Sequence, residues 1–276
     1  MTRDIRNTFV VPPPKGYTSL MTRRNLMAAS TAASLGAGAA APARPSLLEL
    51  LRIQLRNGPE NQRQRATEFF KAFVPLARRA GIGPIGVFSS SIAEAGPFLL
   101  VLRSYPGFAE MEASEAKLRE DPGYRKAAEA WYAGGLPYVR LEASLLRAFD
   151  AMPAIAVPPT EGRKSPRLFE LRVYESNTSA TLQRKIKMFE DGEIDIFRRV
   201  GLLPVFFGAT RFGRNMPNLT YMVAHDDLAA RERNWRAFGG DPEWQKLRAQ
   251  PGFADAEIVS NISNSLLSPL PFSEIR

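Results

Sequence analysis

The sequence predicts an α+β fold of two tandem β-α-β-β-α-β units, each ferredoxin-like, packed on one another as an internal pseudo-dimer. Three observations predict it. The stretch "RRAGIGPIGVF", Arg78 to Phe88, returns as "RRVGLLPVFFG", Arg198 to Gly208, 120 positions later, and the same offset pairs Phe69 with Phe189, Gly81 with Gly201, Asp121-Pro122 with Asp241-Pro242 and Val139 with Val259. Within each copy the hydrophobic period switches between 2 and 3.6 in the order strand, helix, strand, strand, helix, strand. Each such unit leaves one sheet face bare of its own helices, so two copies can bury those faces together.

Residues 1–43 read as a leader. In "MTRRNLMAASTAASLGAGAAAPA", Met21 to Ala43, an arginine pair precedes a weakly apolar Ala/Gly run that ends in small residues, the layout of a cleavable export signal. The run is too short and too rich in alanine for a stable membrane span. Thr22 to Met27 resembles a twin-arginine signal, which implies a periplasmic or secreted protein beginning near Ala40 or Arg44, with Met21 as an alternative start.

The first unit is expected over residues 46–150, from the strand "LLELLRIQL" to the strand "YVRLEASLLRAF", and a proline-rich linker over 151–165. The second, 166–276, opens on "LFELRVY", where Phe169, Leu171 and Val173 point one way and Leu168, Glu170, Arg172 and Tyr174 the other. Leu182, Ile186, Phe189, Ile196, Phe197 and Val200 follow helical spacing, with Gly201 placed to end the helix. "LLPVFFGATRF" and "NLTYMVAH" are strand-rich and flank a hairpin-like "GRNMP". "LAARERNWRAF" is a helix with Leu228, Trp235 and Phe238 on its buried side; Asp241 then caps a further helix whose first residue is Pro242. "AEIVSNISNSLL" closes the unit as a strand.

At 276 residues and 45% hydrophobic composition the chain can bury one large core or two ordinary ones. The absence of cysteine excludes disulfides, thiolate metal sites, iron–sulfur clusters and cysteine nucleophiles. A single histidine, His225, excludes histidine-rich metal centres and leaves any Ser-His-Asp triad dependent on that residue. Five of the 37 basic residues and one of the 28 acidic ones lie in residues 1–43, so the formal charge of +9 falls to +5 for the remainder. There the basic residues are interleaved with acids, which argues for solvated helix faces and against nucleic-acid binding.

Arg52 and Arg172 lie in the first strand of each unit and, at the constant offset, share a face directed toward the partner sheet. Guanidinium groups there must be solvated, paired with a carboxylate such as Glu170, or bound to an anion. His225 ends a strand before Asp226-Asp227, where it either caps a loop or acts as a general base or heme ligand. Tyr174, Phe207, Tyr221 and Trp235 make the second unit more aromatic than the first, which has Gln54, Val87, Val101 and Glu115 at the corresponding places. They read as core packing, or as the wall of a ligand pocket between sheet and helices with Arg172 supplying charge. "FGRNMPN" has the wrong composition for a phosphate loop, and neither a nucleophile elbow nor a carboxylate-rich metal motif is present.

At "FELRVYES", "GLLPVFFGATRFGRNMPNLTYM", "RERNWRAFGGDPEWQKL" and "SPLPFSEIR" the second half resembles the NIPSNAP family of the dimeric α/β-barrel superfamily, and the first half resembles the same domain more loosely. The resemblance implies two tandem domains closing an α/β-barrel as one pseudo-dimer. Eukaryotic relatives are associated with mitochondria and protein interactions, and the wider superfamily includes cofactor-independent monooxygenases and heme proteins. The expected role is therefore an exported binding or interaction protein for a small apolar or anionic ligand or a protein partner, itself a homo-oligomer or a monomer. A monooxygenase-like or heme-associated oxidoreductase acting on an apolar substrate is the alternative. No metal site or cofactor is assigned.

Overall fold

The computed structural model describes residues 44–276; the expected export leader lies outside the described residues. The first unit runs β1 (Leu47–Gln54), α1 (Gln62–Ala80), β2 (Gly86–Ile92), β3 (Phe98–Tyr105), α2 (Phe108–Glu120), α3 (Pro122–Ala133) and β4 (Arg140–Ala148). The second runs β5 (Leu168–Glu175), α4 (Ser179–Met188), a π-helical turn (Phe189–Glu193), α5 (Ile194–Arg199), β6 (Leu203–Phe212), β7 (Asn218–His225), α6 (Leu228–Gly240), α7 (Pro242–Arg248), α8 (Asp255–Ile258) and β8 (Asn261–Pro269). The strands close an eight-stranded barrel in the order β1-β3-β2-β8-β5-β7-β6-β4. Each unit contributes an antiparallel sheet, β4-β1-β3-β2 or β8-β5-β7-β6, and the sheets join at two seams, β2 with β8 and β4 with β6.

Closure leaves no sheet edge and gives each sheet two buried faces. Inside the barrel, Leu48, Leu50 and Phe88 of the first unit meet Phe169, Phe206 and Met222 of the second. Two further cores lie outside the barrel wall, where the first unit's helices cover Val87 and Val101 and the second unit's cover Phe207 and Tyr221. At the β4–β6 seam Gly208 pairs with Ala148, and a Cβ at Gly208 would sit 2.9 Å from Leu146 Cβ. Only glycine lets the two strands approach this closely.

Local chemistry sets the helix ends. Asp121 and Asp241 each accept two backbone N–H groups at the start of α3 and α7, with Pro122 and Pro242 as first helical residues. Gly201 follows α5 at φ 85°, a left-handed conformation that costs a side-chain-bearing residue about 1 kcal/mol. The long helix expected over 182–200 is broken by the π turn around Gly192, whose non-helical backbone separates α4 from α5. Leu228, expected to be buried, is 49% exposed because it is the first residue of α6, before the helix settles on the sheet. The closing strand begins at Asn261 rather than near Ala256, since α8 takes Asp255–Ile258 and buries Ile258.

The strand registers of the two halves correspond with a one-residue shift. Residues opposite each other in an antiparallel pair share a face. Leu47 opposes Tyr105 and Glu49 opposes Arg103 in the first unit, whereas Leu168 opposes His225 and Glu170 opposes Val223 in the second. The β3-to-β7 offset is therefore 120, and the β1-to-β5 offset is 121, which aligns "LLEL" with "LFEL" and Glu49 with Glu170. A one-residue slip reverses the face of a strand residue. Arg52 accordingly shares the inner face of Leu48 and Leu50 and stacks 3.9 Å from the Phe98 ring centroid, while Arg172 lies on the outer, helix-covered face. Arg52 and Arg172 are not equivalent, and Arg172 does not look toward the partner sheet.

Candidate functional site

Alternation along β5 sends Phe169 and Leu171 into the barrel and Glu170, Arg172 and Tyr174 into the layer between sheet and helices. Glu170 is fully buried there and is the hub of the site. Its carboxylate accepts from Arg172 Nη1 at 2.7 Å, Arg231 Nε at 2.8 Å, Arg231 Nη2 at 2.9 Å and Trp235 Nε1 at 2.8 Å, and His225 Nε2 lies 3.2 Å away. Arg231 and Trp235 are one turn apart on α6, so that helix clamps the carboxylate from above while β5 and β7 hold it from below. Burial alone would raise the Glu170 carboxyl; the bonds from His225, Arg231 and Trp235 and the charge of Arg172 outweigh it and hold the group well below the usual carboxylate range.

Arg172 carries the network toward the aromatic residues. Its Nη2 donates to Tyr174 Oη at 3.2 Å, and the Tyr221 hydroxyl lies 3.0 Å from the same oxygen. The guanidinium also sits 4.7 Å from the Trp235 ring centroid. Phe207 stacks on Tyr221 with centroids 5.2 Å apart and planes at 20°. Burial pushes the Tyr221 hydroxyl far above its ordinary range, so it is a neutral hydrogen-bonding group. Arg172, Tyr174, Phe207, Tyr221, Trp235 and His225 thus form one contiguous cluster around Glu170.

The cluster holds more donors than acceptors. Arg172 Nε–H is a buried donor without a hydrogen-bond partner; His225 Nδ1 is also unpaired, but with Nε2–H turned to Glu170 it is the acceptor nitrogen of the neutral ring and does not add to the donors. Two tyrosine hydroxyl hydrogens share a single O···O contact, so one of them is left without an acceptor in the Tyr174–Tyr221 pair. On the open side of Arg172 stands Asn264, exposed on β8, whose amide accepts from Arg172 Nη1 at 3.0 Å in the orientation that satisfies both its ends. The His225 ring is enclosed, with Nε2 engaged by Glu170, and is not placed to bind a heme iron.

Three parts of this site carry a weak sequence signal. Arg231 sits on a helix rich in charge and looks like one more surface arginine. Lys185 and Glu193 form a buried pair at 3.1 Å beside the π turn, 1% and 2% exposed, with Asp255 3.5 Å from the ammonium. Burial opposes the charge on Lys185, yet Glu193 and Asp255 hold its titration above the usual lysine range; burial pushes the Glu193 carboxyl up. The third part is the first unit's counterpart. Glu49 contacts Arg103 at 2.5 Å and accepts from Tyr105 at 3.3 Å, so Tyr105 stands to Glu49 as His225 stands to Glu170. The repeated "L-x-E-L" was the signal available for it.

A closed barrel of two ferredoxin-like halves with a buried polar cluster under the helices of one half defines a protein of the dimeric α/β-barrel class, built here from one chain. Residues 169–274 match the NIPSNAP family model. The fold is similar to that of a candidate monooxygenase from Fusobacterium nucleatum, at 7% identity and TM-score 0.55 over 82% of this chain and 93% of that one. A candidate monooxygenase from Lactobacillus acidophilus gives 9% identity and TM-score 0.55 over 82% and 94%. An uncharacterised NIPSNAP-like domain protein from Burkholderia xenovorans gives 23% identity and TM-score 0.34 over 39% of this chain and 88% of that one. Among curated proteins no sequence matches.

Proposed function

We propose that the second unit is a NIPSNAP-type small-molecule binding domain, and that the first is a diverged copy kept to complete the barrel. The ligand class is a partly apolar molecule, aromatic in the simplest case, that presents a carboxylate or carbonyl oxygen to Arg172 and the Tyr174–Tyr221 hydroxyl pair. One observation carries the reading: the cluster has a surplus of buried donors, and an acceptor from outside the chain would satisfy them. Phe207 and Trp235 supply apolar contact, and the half-buried Trp235 on α6 is the side chain whose displacement would admit a ligand beside Arg172 and Asn264.

The test is a thermal-shift panel of aromatic carboxylates and phenols against wild type, Arg172→Lys and Arg172→Ala. A compound at a hundred times its dissociation constant stabilises the folded state by about 2.7 kcal/mol, enough to read as a shift of several degrees. The shift should be reduced in Arg172→Lys and lost in Arg172→Ala. If no compound stabilises wild type, the reading falls. Export by a twin-arginine route is part of the same proposal, because the arginine pair, apolar run and small-residue end occur in order. Replacing Arg23-Arg24 by Lys-Lys should leave precursor in the cytoplasm, and unimpaired export of that variant would contradict it.

A further inference from the structure

The linker and the C-terminal tail enclose an open cleft of about 420 Å³, remote in role from the Glu170 cluster. It is lined by Arg163, Lys164, Arg276, Thr160, Ser165 and Leu270. Pro166, Pro269 and Pro271 complete its walls and stiffen the backbone on both sides. A second cleft of about 630 Å³ continues from it past Thr160, Pro271 and Arg276.

The charge in this place is unbalanced. Arg163, Lys164 and Arg276 line the cleft, and Arg167, with a side chain 7% exposed and outside the lining, shares the counter-ion of Arg163. Among the described residues the carboxylate that meets this group is Asp226, paired with Arg163 and 3.5 Å from Arg167 Nε. Glu161 and Glu274 line only the adjoining cleft, and Glu274 is paired with Arg78 at 3.0 Å. Burial, then the Arg163 charge, lower the affinity of Arg167 for its proton against the opposing pull of Asp226, so these two guanidinium groups repel across a single counter-ion. Arg167 Nε faces Asp226 Oδ1 at 3.5 Å, Arg163 Nη2 donates to the Asp226 carbonyl at 3.2 Å, and Arg163 Nε is buried without a hydrogen-bond partner. Arg167 otherwise donates to Pro159 O, and Arg276 Nη1 to Pro271 O at 2.8 Å, carbonyl contacts that orient the side chains without neutralising them.

We propose that this cleft binds a phosphate group, either free or as the monoester of a small organic molecule. The two arginines that line the cleft, Arg163 and Arg276, with Lys164 and the hydroxyls of Thr160 and Ser165, match the donor demand of a tetrahedral oxyanion. The volume exceeds what phosphate alone fills, and Leu270 with the prolines offers an apolar wall for the ester group. Asp226 occupies part of the arginines' capacity and competes with the incoming anion.

Isothermal titration at low salt, with inorganic phosphate in one arm and phenyl phosphate in the other, tests this on the full chain. Saturable binding of both is expected, tighter for phenyl phosphate if the physiological ligand is an ester and equal for the two if it is free phosphate. Arg163→Ala and Arg276→Ala should each weaken binding roughly ten-fold, the loss of one charge-assisted donor group, and Asp226→Asn should strengthen it. Arg172→Ala should leave it unchanged, which separates this site from the one proposed above. Arg276 is exposed, so its variant is expected to fold even if Arg163→Ala does not. Absence of saturable binding to wild type at millimolar phosphate, or equal binding by wild type and Arg276→Ala, overturns the proposal.

Discussion

Glu170→Gln removes one negative charge from the centre of the second unit while keeping its shape. The carboxylate is fully buried and holds Arg172, 13% exposed, together with Arg231 and Trp235 at 2.7–2.9 Å. Removing one partner of a buried ion pair costs about 3–5 kcal/mol, because the remaining charge stays desolvated and unpaired. The amide adds to the loss by turning an NH₂ toward groups that are themselves donors. For a chain of this size that corresponds to a fall in thermal midpoint of roughly 10 °C. The loss should also depend on pH. The folded carboxyl titrates below its ordinary value of 4.5, so its contribution is complete above that value and is lost as pH falls through the folded value. Urea unfolding of wild type and Glu170→Gln should therefore show the full difference at pH 7 and a narrowing one below about pH 4. A difference under about 1 kcal/mol at pH 7, or one that does not narrow in acid, would refute the argument that Glu170 is the charged hub.

Three further outcomes follow from the same packing. Lys185→Met and Glu193→Leu should each cost about 3 kcal/mol alone and much less together, since a buried pair replaced whole by apolar side chains leaves no orphan charge; additive losses in urea unfolding would argue against it. Phe207→Ala should cost about 3–5 kcal/mol, because Phe207 is fully buried between Phe149, Phe189 and Tyr221, and a calorimetric loss below about 1 kcal/mol would mean the site collapses or was never filled. Gly208→Ala should cost about 1–3 kcal/mol by forcing Leu146 away at the β4–β6 seam, with faster hydrogen exchange in both strands; unchanged exchange there would count against a closed seam.

Much of the fold was legible because two independent patterns agreed. The similar "RR-G-P" stretches suggested two like halves, and period switching within each half gave the order of elements that the barrel shows. Capping chemistry also read correctly, since Asp-Pro at 121–122 and 241–242 leaves few alternatives to a helix start. The π turn did not, because Phe189 and Ile196 keep helical spacing across the break and Gly192 alone marks it. The face of Arg172 was misread for a related reason: matching arginines at 120 positions hides a one-residue slip that matching the glutamates reveals. The six candidate residues were brought together, but the group that joins them is Glu170. The pairing of Arg172 with Glu170 was legible from the strand, whereas the further donors that converge on that glutamate from β7 and α6 were not, because His225, Arg231 and Trp235 lie more than fifty residues away in sequence.

The claim at the centre of this account is that the donors around Arg172 await an acceptor carried by a small molecule. Native mass spectrometry of the folded chain, purified under mild conditions and then titrated with the stabilising compound from the thermal-shift panel, measures that directly. The account predicts a one-to-one adduct on wild type that Arg172→Ala, folded by circular dichroism, does not form. An adduct of equal abundance on both proteins, or none on wild type with any compound in the panel, would contradict it.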